Sequence, residues 1–245
     1  MGTVTLRFAE KRDAGMMMAI YAPFVLETTA TWETAVPPRP EFEARMEQCS
    51  ADGLPWIVVE EDGALLGYAY GARFGRRAGY AWDVEVSVYL SEDAHGRHIG
   101  TALYGALLAL LKRQGYLNCY ALITEGNFAS EEFHKALGFE PAARLERCGY
   151  KMGQWLSLCC YHLALAARPQ APARPVPLSA VPAEQAASVL RRAAMLVKGR
   201  AGIERAPRGA LCAQPLRAHA SGQCPDGAFG VAFGKKPRRA LCAAH

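Results

Sequence analysis

The sequence predicts a mixed α/β domain built on an α+β mixed sheet. Three observations predict it. Short apolar runs recur in pairs across turn residues: Trp56-Ile-Val-Val-Glu60, the turn Glu61-Asp62-Gly63 and Ala64–Tyr70 read as a β-hairpin. A long alternating run over Tyr80–Leu90 is followed by a loop, an amphipathic helix and another apolar run, the pattern of a parallel β-α-β crossover. Two further runs, near Ala143–Lys151 and Trp155–Ala164, close the domain as strands. Hairpins around one crossover make a mixed sheet rather than an all-parallel one.

Each element has its local reason. Thr3–Phe8 alternates and opens as a strand. Asp13 is suited to cap a helix carrying Met16, Met17, Ile20, Phe24 and Val25, which Pro23 is expected to bend or divide. Pro37-Pro38-Arg39-Pro40 breaks the chain before a second helix over Glu41–Cys49. On the Tyr80–Leu90 strand, Trp82, Val84, Val86, Val88 and Leu90 share one face; Asp83, Glu85, Ser87 and Tyr89 share the other. The helix Ile99–Gln114 has its apolar stripe at Ile99, Leu103, Leu107, Leu110 and Leu111. Lys112 and Arg113 suit its negative end, and Gly115 suits its C-cap. Leu117–Ile123 is the next strand, and Ser130–Leu137 is a short helix stopped by Gly138.

Composition divides the chain of 245 residues near position 165. Residues 1–165 hold 15 basic and 20 acidic side chains, and residues 166–245 hold 13 basic and 3 acidic, so the formal +5 sums an acidic domain and a basic extension. All 4 Trp and all 10 Tyr precede residue 166, which places the large core-forming side chains in the first part. In the extension, Leu, Ile, Val and Phe make only 14 of 80 residues, too little apolar surface to offset ordering entropy. The expected division is a folded domain over 1–165 and an Ala/Pro/Arg-rich basic extension over 166–245, mostly disordered, with a possible helix near 183–198. The extension matches no module, and a read-through or frame-shifted origin is one reading of it.

Several classes are excluded by the same text. No apolar run approaches the roughly 18–20 residues that cross a bilayer. The N-terminus has no secretory h-region, and the eight cysteines contain no CxxC pair, so a reduced, cytoplasmic protein is expected. Cys212, His219, Cys224 and Cys242 fit no common zinc spacing, and no metal is expected. The basic cluster Lys235–Arg239 has no Tyr or Trp beside it to stack on bases, so it reads as solvated rather than as a nucleic-acid surface.

Three features carry chemistry. The loop His95-Gly96-Arg97-His98 leads into a helix beginning Ile99-Gly100-Thr101, whose free N–H groups suit a pyrophosphate; a solvated loop before a helix is the alternative. Glu85 lies mid-strand among apolar neighbours and can act as a general base with a raised pKa; an outward-facing charge is the alternative. Asn127, Ser130 and His134 flank and line the short helix, as ligand contacts or as a cap with a surface histidine.

Taken together, six blocks in order carry a family resemblance. They are Glu27-Thr-Thr-Ala-Thr-Trp32, Arg77-x-x-Tyr80-x-Trp82-x-Val-Glu85 with Ser87–Leu90, Gly96-Arg-His-Ile-Gly100-Thr-Ala-Leu-Tyr104, Asn127-x-x-Ser130-x-x-x-His134-x-x-Leu-Gly-Phe139, and Gly149-Tyr-Lys-x-Gly-x-Trp155. The chain resembles the GNAT N-acetyltransferase superfamily, and over Leu6–Leu165 its phosphinothricin acetyltransferase branch. The resemblance implies the GNAT acyl-CoA N-acyltransferase fold, acetyl-CoA as co-substrate and a small amino-acid-like amine as acceptor, phosphinothricin or methionine sulfoximine among them. It implies a role for Glu85 as base and for His134 as acid toward the leaving thiolate. It gives Val88, Tyr89, Leu90, His95, Gly96, Arg97, His98, Ile99, Gly100, Thr101, Asn127 and Ser130 to the cofactor. Trp32, Arg77, Tyr80, Tyr150 and Lys151 fall to the substrate, and a homodimer is implied. The second reading is a CoA-binding, catalytically weak regulatory module.

Two positions depart from the branch pattern. His98 stands where the branch carries a glycine beside the pyrophosphate, and Leu156-Ser157-Leu158 stands where it carries His-Asp-Val.

Overall fold

The computed structural model describes residues 2–200. A seven-stranded sheet runs in the order β1-β2-β3-β4-β5-β7-β6, with β1 Val4–Phe8, β2 Trp56–Glu61, β3 Ala64–Arg73, β4 Asp83–Leu90, β5 Asn118–Thr124, β6 Glu140–Lys151 and β7 Gln154–Ala164. Every neighbouring pair is antiparallel except β4 and β5, as the single crossover requires. Asp62 and Gly63 both take positive φ (51° and 86°) in the β2–β3 turn, the geometry that matches the twist of a two-residue hairpin.

The helices are α1 Ala14–Glu27, α2 Arg39–Ala51, α3 Ile99–Gln114, α4 Phe128–Ala136 and α5 Ala183–Arg200. Pro23 lies inside α1 and does not divide it. Asp13 precedes α1 but does not cap it through its side chain; the carboxylate turns instead to Arg7 and the Glu10 N–H. The Tyr80–Leu90 strand begins later than the alternation suggests, because Ala78–Tyr80 is one turn of 3₁₀ helix.

Helices cover both faces. Tyr21 of α1 and Phe42 of α2 pack on the aromatic face of the sheet, against Tyr89, Trp56 and Tyr68. Close approach of α3 to the opposite face depends on glycine: a Cβ at Gly100 would meet Leu90 Cδ1 at 2.9 Å. The expected helix near 183–198 is present as α5 and packs on α3 and β1, burying Val189, Leu190, Ala193 and Val197. Burying each of the Val and Leu side chains among them contributes about 1.5–3 kcal/mol. The segment leading to α5 is also tied down: Trp82 Nε1 donates to Ala173 O (2.8 Å), and Gln114 Nε2 donates to Gly53 O (2.7 Å) and Val176 O (3.0 Å). Order therefore continues past residue 165, through side chains that a count of apolar residues over the whole extension averages away. The Cys212–Cys242 group and the Lys235–Arg239 cluster lie outside the described residues. No helix among the described residues is long and apolar enough to cross a membrane.

Candidate active site

The site is a consequence of how β4 and β5 part. Their pairing covers only Asp83–Glu85 against Asn118–Tyr120. Beyond that, β4 stays paired with β3 as far as Leu90, and β5 stays paired with β7 as far as Thr124. A cleft opens between two strands that are each held on their far side. Val88, Tyr89 and Leu90 form one wall, Ala121–Ile123 the other, and Asn127, Ser130, Phe133 and His134 close it from α4. The backbone edge of β4 facing this cleft has no strand partner, so its polar groups are available to a ligand.

Glu85 stands at the last paired position, opposite Tyr120. It is half-buried, and burial raises its carboxyl pKa, with no neighbouring charge offsetting that effect among the described residues. This is the state of a base that holds its proton more tightly than an exposed glutamate does.

At the far end of the cleft, the loop of His95–His98 turns into α3. Gly96 and His98 both have positive φ (70° and 58°), so His98 occupies the left-handed conformation in which glycine is unstrained. Gly100 and Ile99 are buried, while Thr101 is exposed on the first turn. His95 is half-buried, its Nε2 has no partner among the described residues, and burial lowers its pKa. The Arg97 guanidinium donates to Glu61 Oε1 at 2.7 Å, an ion pair that ties the loop to the β2–β3 hairpin. The helix N-terminus and the glycine turn present free N–H groups of the kind that suit an anion.

Asn127 caps α4 by accepting from the Ser130 N–H at 3.3 Å. His134 lines the cleft as expected, but its ring is occupied. Nδ1 lies 2.7 Å from the Ser130 carbonyl oxygen, which can only accept, so Nδ1 carries the proton. Nε2 is then the acceptor for the Tyr104 hydroxyl at 3.0 Å. Burial lowers the pKa of this imidazole, which leaves it neutral at pH 7. The expected role as an acid meets that obstacle: giving up its one proton would break the Ser130 bond and leave a buried anion. Tyr104, wholly buried, is the partner of His134 that sequence reasoning missed; a tyrosine inside an otherwise aliphatic helix stripe is the signal that marks it.

The residues expected at the substrate sit in two groups. Trp32 donates from Nε1 to Thr124 Oγ1 (2.7 Å), and its ring lies so close to Gly149 that a Cβ there would meet it at 1.8 Å. Lys151 is buried and donates to Thr31 O at 2.7 Å; burial lowers its pKa, partly offset by the charge of Glu33. Tyr150 is exposed, edge-on to Trp155. Arg77 is exposed and precedes the turn carrying Tyr80. Tyr80 reaches β5 through an aromatic line, with Phe74 at 5.8 Å and Tyr120 a further 4.2 Å from Phe74. Among the described residues no cluster of His, Cys, Asp or Glu could hold a metal ion.

Comparison with known proteins agrees with this geometry. A model of the acetyltransferase (GNAT) domain matches residues 6–158. A phosphinothricin N-acetyltransferase of Alcaligenes faecalis is 37% identical over 153 residues, 62% of this chain and 78% of that protein. An L-methionine sulfoximine/L-methionine sulfone acetyltransferase of Salmonella typhimurium is 33% identical over 162 residues, 66% of this chain and 95% of that protein. Among solved structures, a GNAT superfamily phosphinothricin acetyltransferase from Sinorhizobium meliloti in complex with acetyl-CoA matches with a TM-score of 0.66 and 33% identity, over 74% of this chain and 97% of that one.

Proposed function

The chain belongs to the GNAT acetyltransferase family, and from that premise we propose that it moves the acetyl group of acetyl-CoA to the amine of a small amino-acid-like acceptor, phosphinothricin or methionine sulfoximine among the candidates. One observation carries the reading: Glu85, a half-buried carboxylate without a cation beside it, stands where β4 and β5 part.

The residues divide the work as follows. The open edge of Val88–Leu90 pairs with the pantetheine arm, and the Gly96–Thr101 turn with the α3 N-terminus receives the pyrophosphate. Lys151 and Arg77 supply positive charge for the acid end of the acceptor; a buried ammonium whose hydrogen bond goes to a backbone carbonyl suits a carboxylate partner. Trp32, anchored on Thr124, walls the acceptor side. An acceptor ammonium has no lone pair, so Glu85, directly or through water, takes one proton. The amine nitrogen then attacks the thioester carbonyl carbon, and a backbone N–H near Val88 stabilises the oxyanion. Collapse forms the amide, breaks the C–S bond and passes the second ammonium proton to the departing thiolate. His134, bonded to Ser130 and Tyr104, fixes α4 against α3 and shapes the wall rather than supplying that proton. Holding both reactants in one cleft contributes much of the acceleration.

Further parts of the reading concern context. The β6–β7 hairpin exposes Leu145, Tyr150, Met152 and Trp155, which suits a homodimer; sedimentation in solution at a single monomer mass would reject that. A cytoplasmic role in disarming amino-acid-like inhibitors fits the proposed acceptors. The main test is thiol release from acetyl-CoA with a panel of amines. Turnover that Glu85→Gln abolishes supports the reading; acetyl-CoA binding without turnover of any amine favours a CoA-binding regulatory module instead.

A further inference from the structure

A second cavity, of about 460 Å³, lies between α2 and the strands β2 and β3. That size is typical of sites for small organic molecules. Its walls are aromatic: Tyr21, Phe42, Trp56, Tyr68 and Tyr70 all line it. None of these residues belongs to the acetyl-CoA cleft, and none was assigned to the substrate above.

Three observations say what the cavity takes. First, Trp56 is only 8% exposed, and its indole Nε1 is buried with no partner among the described residues. A buried N–H left without an acceptor costs about 1–3 kcal/mol, which a ligand carrying an acceptor atom would recover. Second, the cavity adjoins the reaction site. Ala72 lines it and is the register partner of Glu85, and Tyr70 lines it opposite Ser87. Paired strands lie about 4.8 Å apart, so an amino acid's own backbone spans from the cavity to the Glu85 carboxylate. Third, the cavity touches the segment that holds Trp32 and receives Lys151. Glu33 lines it, and the Tyr21 hydroxyl is 2.7 Å from Thr31 Oγ1. The rim charges are already matched in pairs, Arg45 with Glu33 and Glu41, and Arg73 with Asp52, so the cavity has no unpaired cation for an anionic side chain.

We propose that this cavity receives the side chain of the acceptor amino acid and selects one that is flat, aromatic and tipped with a hydrogen-bond acceptor. The inference rests on the acetyltransferase reading above and extends it to a substrate class. In this arrangement the carboxylate of the acceptor lies toward Lys151, its amine toward Glu85, and its ring against the Trp56 and Tyr70 side of the cavity. The Trp56 indole N–H donates to the ring's acceptor atom.

The experiment measures kcat/KM for acetyl transfer to O-methyl-L-tyrosine, L-phenylalanine and L-alanine, with equilibrium binding of each to the full chain. Phosphinothricin and methionine sulfoximine serve as reference amines. The expected order is O-methyl-L-tyrosine above phenylalanine above alanine. Trp56→Phe keeps a ring but removes the N–H, and is expected to lower the value for O-methyl-L-tyrosine about tenfold, the worth of one hydrogen bond, while leaving phenylalanine nearly unchanged. Ala44 lines the cavity from an exposed position on α2, so Ala44→Phe fills it with little risk to folding. It is expected to bring both aromatic acceptors down to the level of alanine with the KM for acetyl-CoA unchanged. Equal values for the three amino acids, or values that neither variant alters, overturn the proposal. Turnover of the reference amines alone also overturns it while sparing the acetyltransferase reading. Binding of O-methyl-L-tyrosine that Trp56→Phe weakens, with no turnover of any amine, keeps the cavity assignment and rejects the catalytic reading.

Discussion

Asp13 and Glu85 are both carboxylates drawn away from water, and their surroundings drive them to opposite states. Asp13 receives both Arg7 terminal nitrogens, at 2.7 and 2.9 Å, and the Glu10 N–H at 2.8 Å. The Arg7 hydrogen bonds, opposed by burial, hold its carboxyl below the ordinary range. Glu60 accepts from the same guanidinium at 2.9 Å, so Arg7 ties β1, β2 and the start of α1 together. Glu85 has burial without a cation, and its carboxyl rises instead. A charge that is paired wherever it is buried holds elements in place; one that is buried and left alone is available for proton transfer. The contrast separates a structural centre from the proposed reactive one within a single domain.

The strongest way to sharpen the contrast is to neutralise each carboxylate in turn. Glu85→Gln is expected to lower kcat about 10²–10⁴-fold, the usual contribution of a general base, while thermal unfolding stays at or above the wild-type midpoint. Asp13→Ala should do the reverse. It leaves Arg7 with Glu60 as its carboxylate partner and frees the Glu10 N–H, and is expected to cost about 2 kcal/mol in chemical denaturation, with kcat retained wherever the protein is folded.

The pH responses should diverge as well. Asp13 has a lowered folded pKa, so its stabilisation is fully present above the ordinary aspartate value and is lost as pH falls through the lowered one. Glu85 has a raised folded pKa, so its ionisation lowers stability as pH rises from the ordinary glutamate value through the raised one. The acidic limb of the kcat/KM profile should therefore lie above the ordinary glutamate range and vanish in Glu85→Gln. To break the contrast, Ala72→Lys would give Glu85 a cation on the adjoining strand. That limb is then expected to move to lower pH, making Glu85 resemble Asp13 and weakening it as a base.

The smallest expected effect lies outside both centres. His98→Gly should relieve the left-handed strain at the mouth of α3 and raise stability by about 1 kcal/mol. Denaturant midpoints with and without acetyl-CoA would show whether the imidazole also aids binding.

Much of the site was legible along the chain because its parts are local. The strand–loop–helix from Tyr80 to Gln114 announces itself through alternation, two glycines and a helical stripe, and Glu85 stands out as a carboxylate in an apolar run. The hairpin turn at Asp62-Gly63 is equally local. The commitments of Arg97 to Glu61 and of His134 to Tyr104 were not legible, because each pair joins residues about 30 or more positions apart. The α5 helix and most of its apolar face were legible too; where that face docks was not, because its partners on α3 and β1 are remote in sequence.

By itself the sequence determined the succession of elements, the single crossover and the residue types at the cleft, because these follow from periodicity and turn chemistry within short windows. Only the tertiary structure decided which charges are free. Whether Glu85 meets a cation, whether His134 keeps a mobile proton and whether Trp56 finds an acceptor depend on which strands and helices lie across from them. Those neighbours are remote in sequence, and burial with or without a partner is a property of the packed chain.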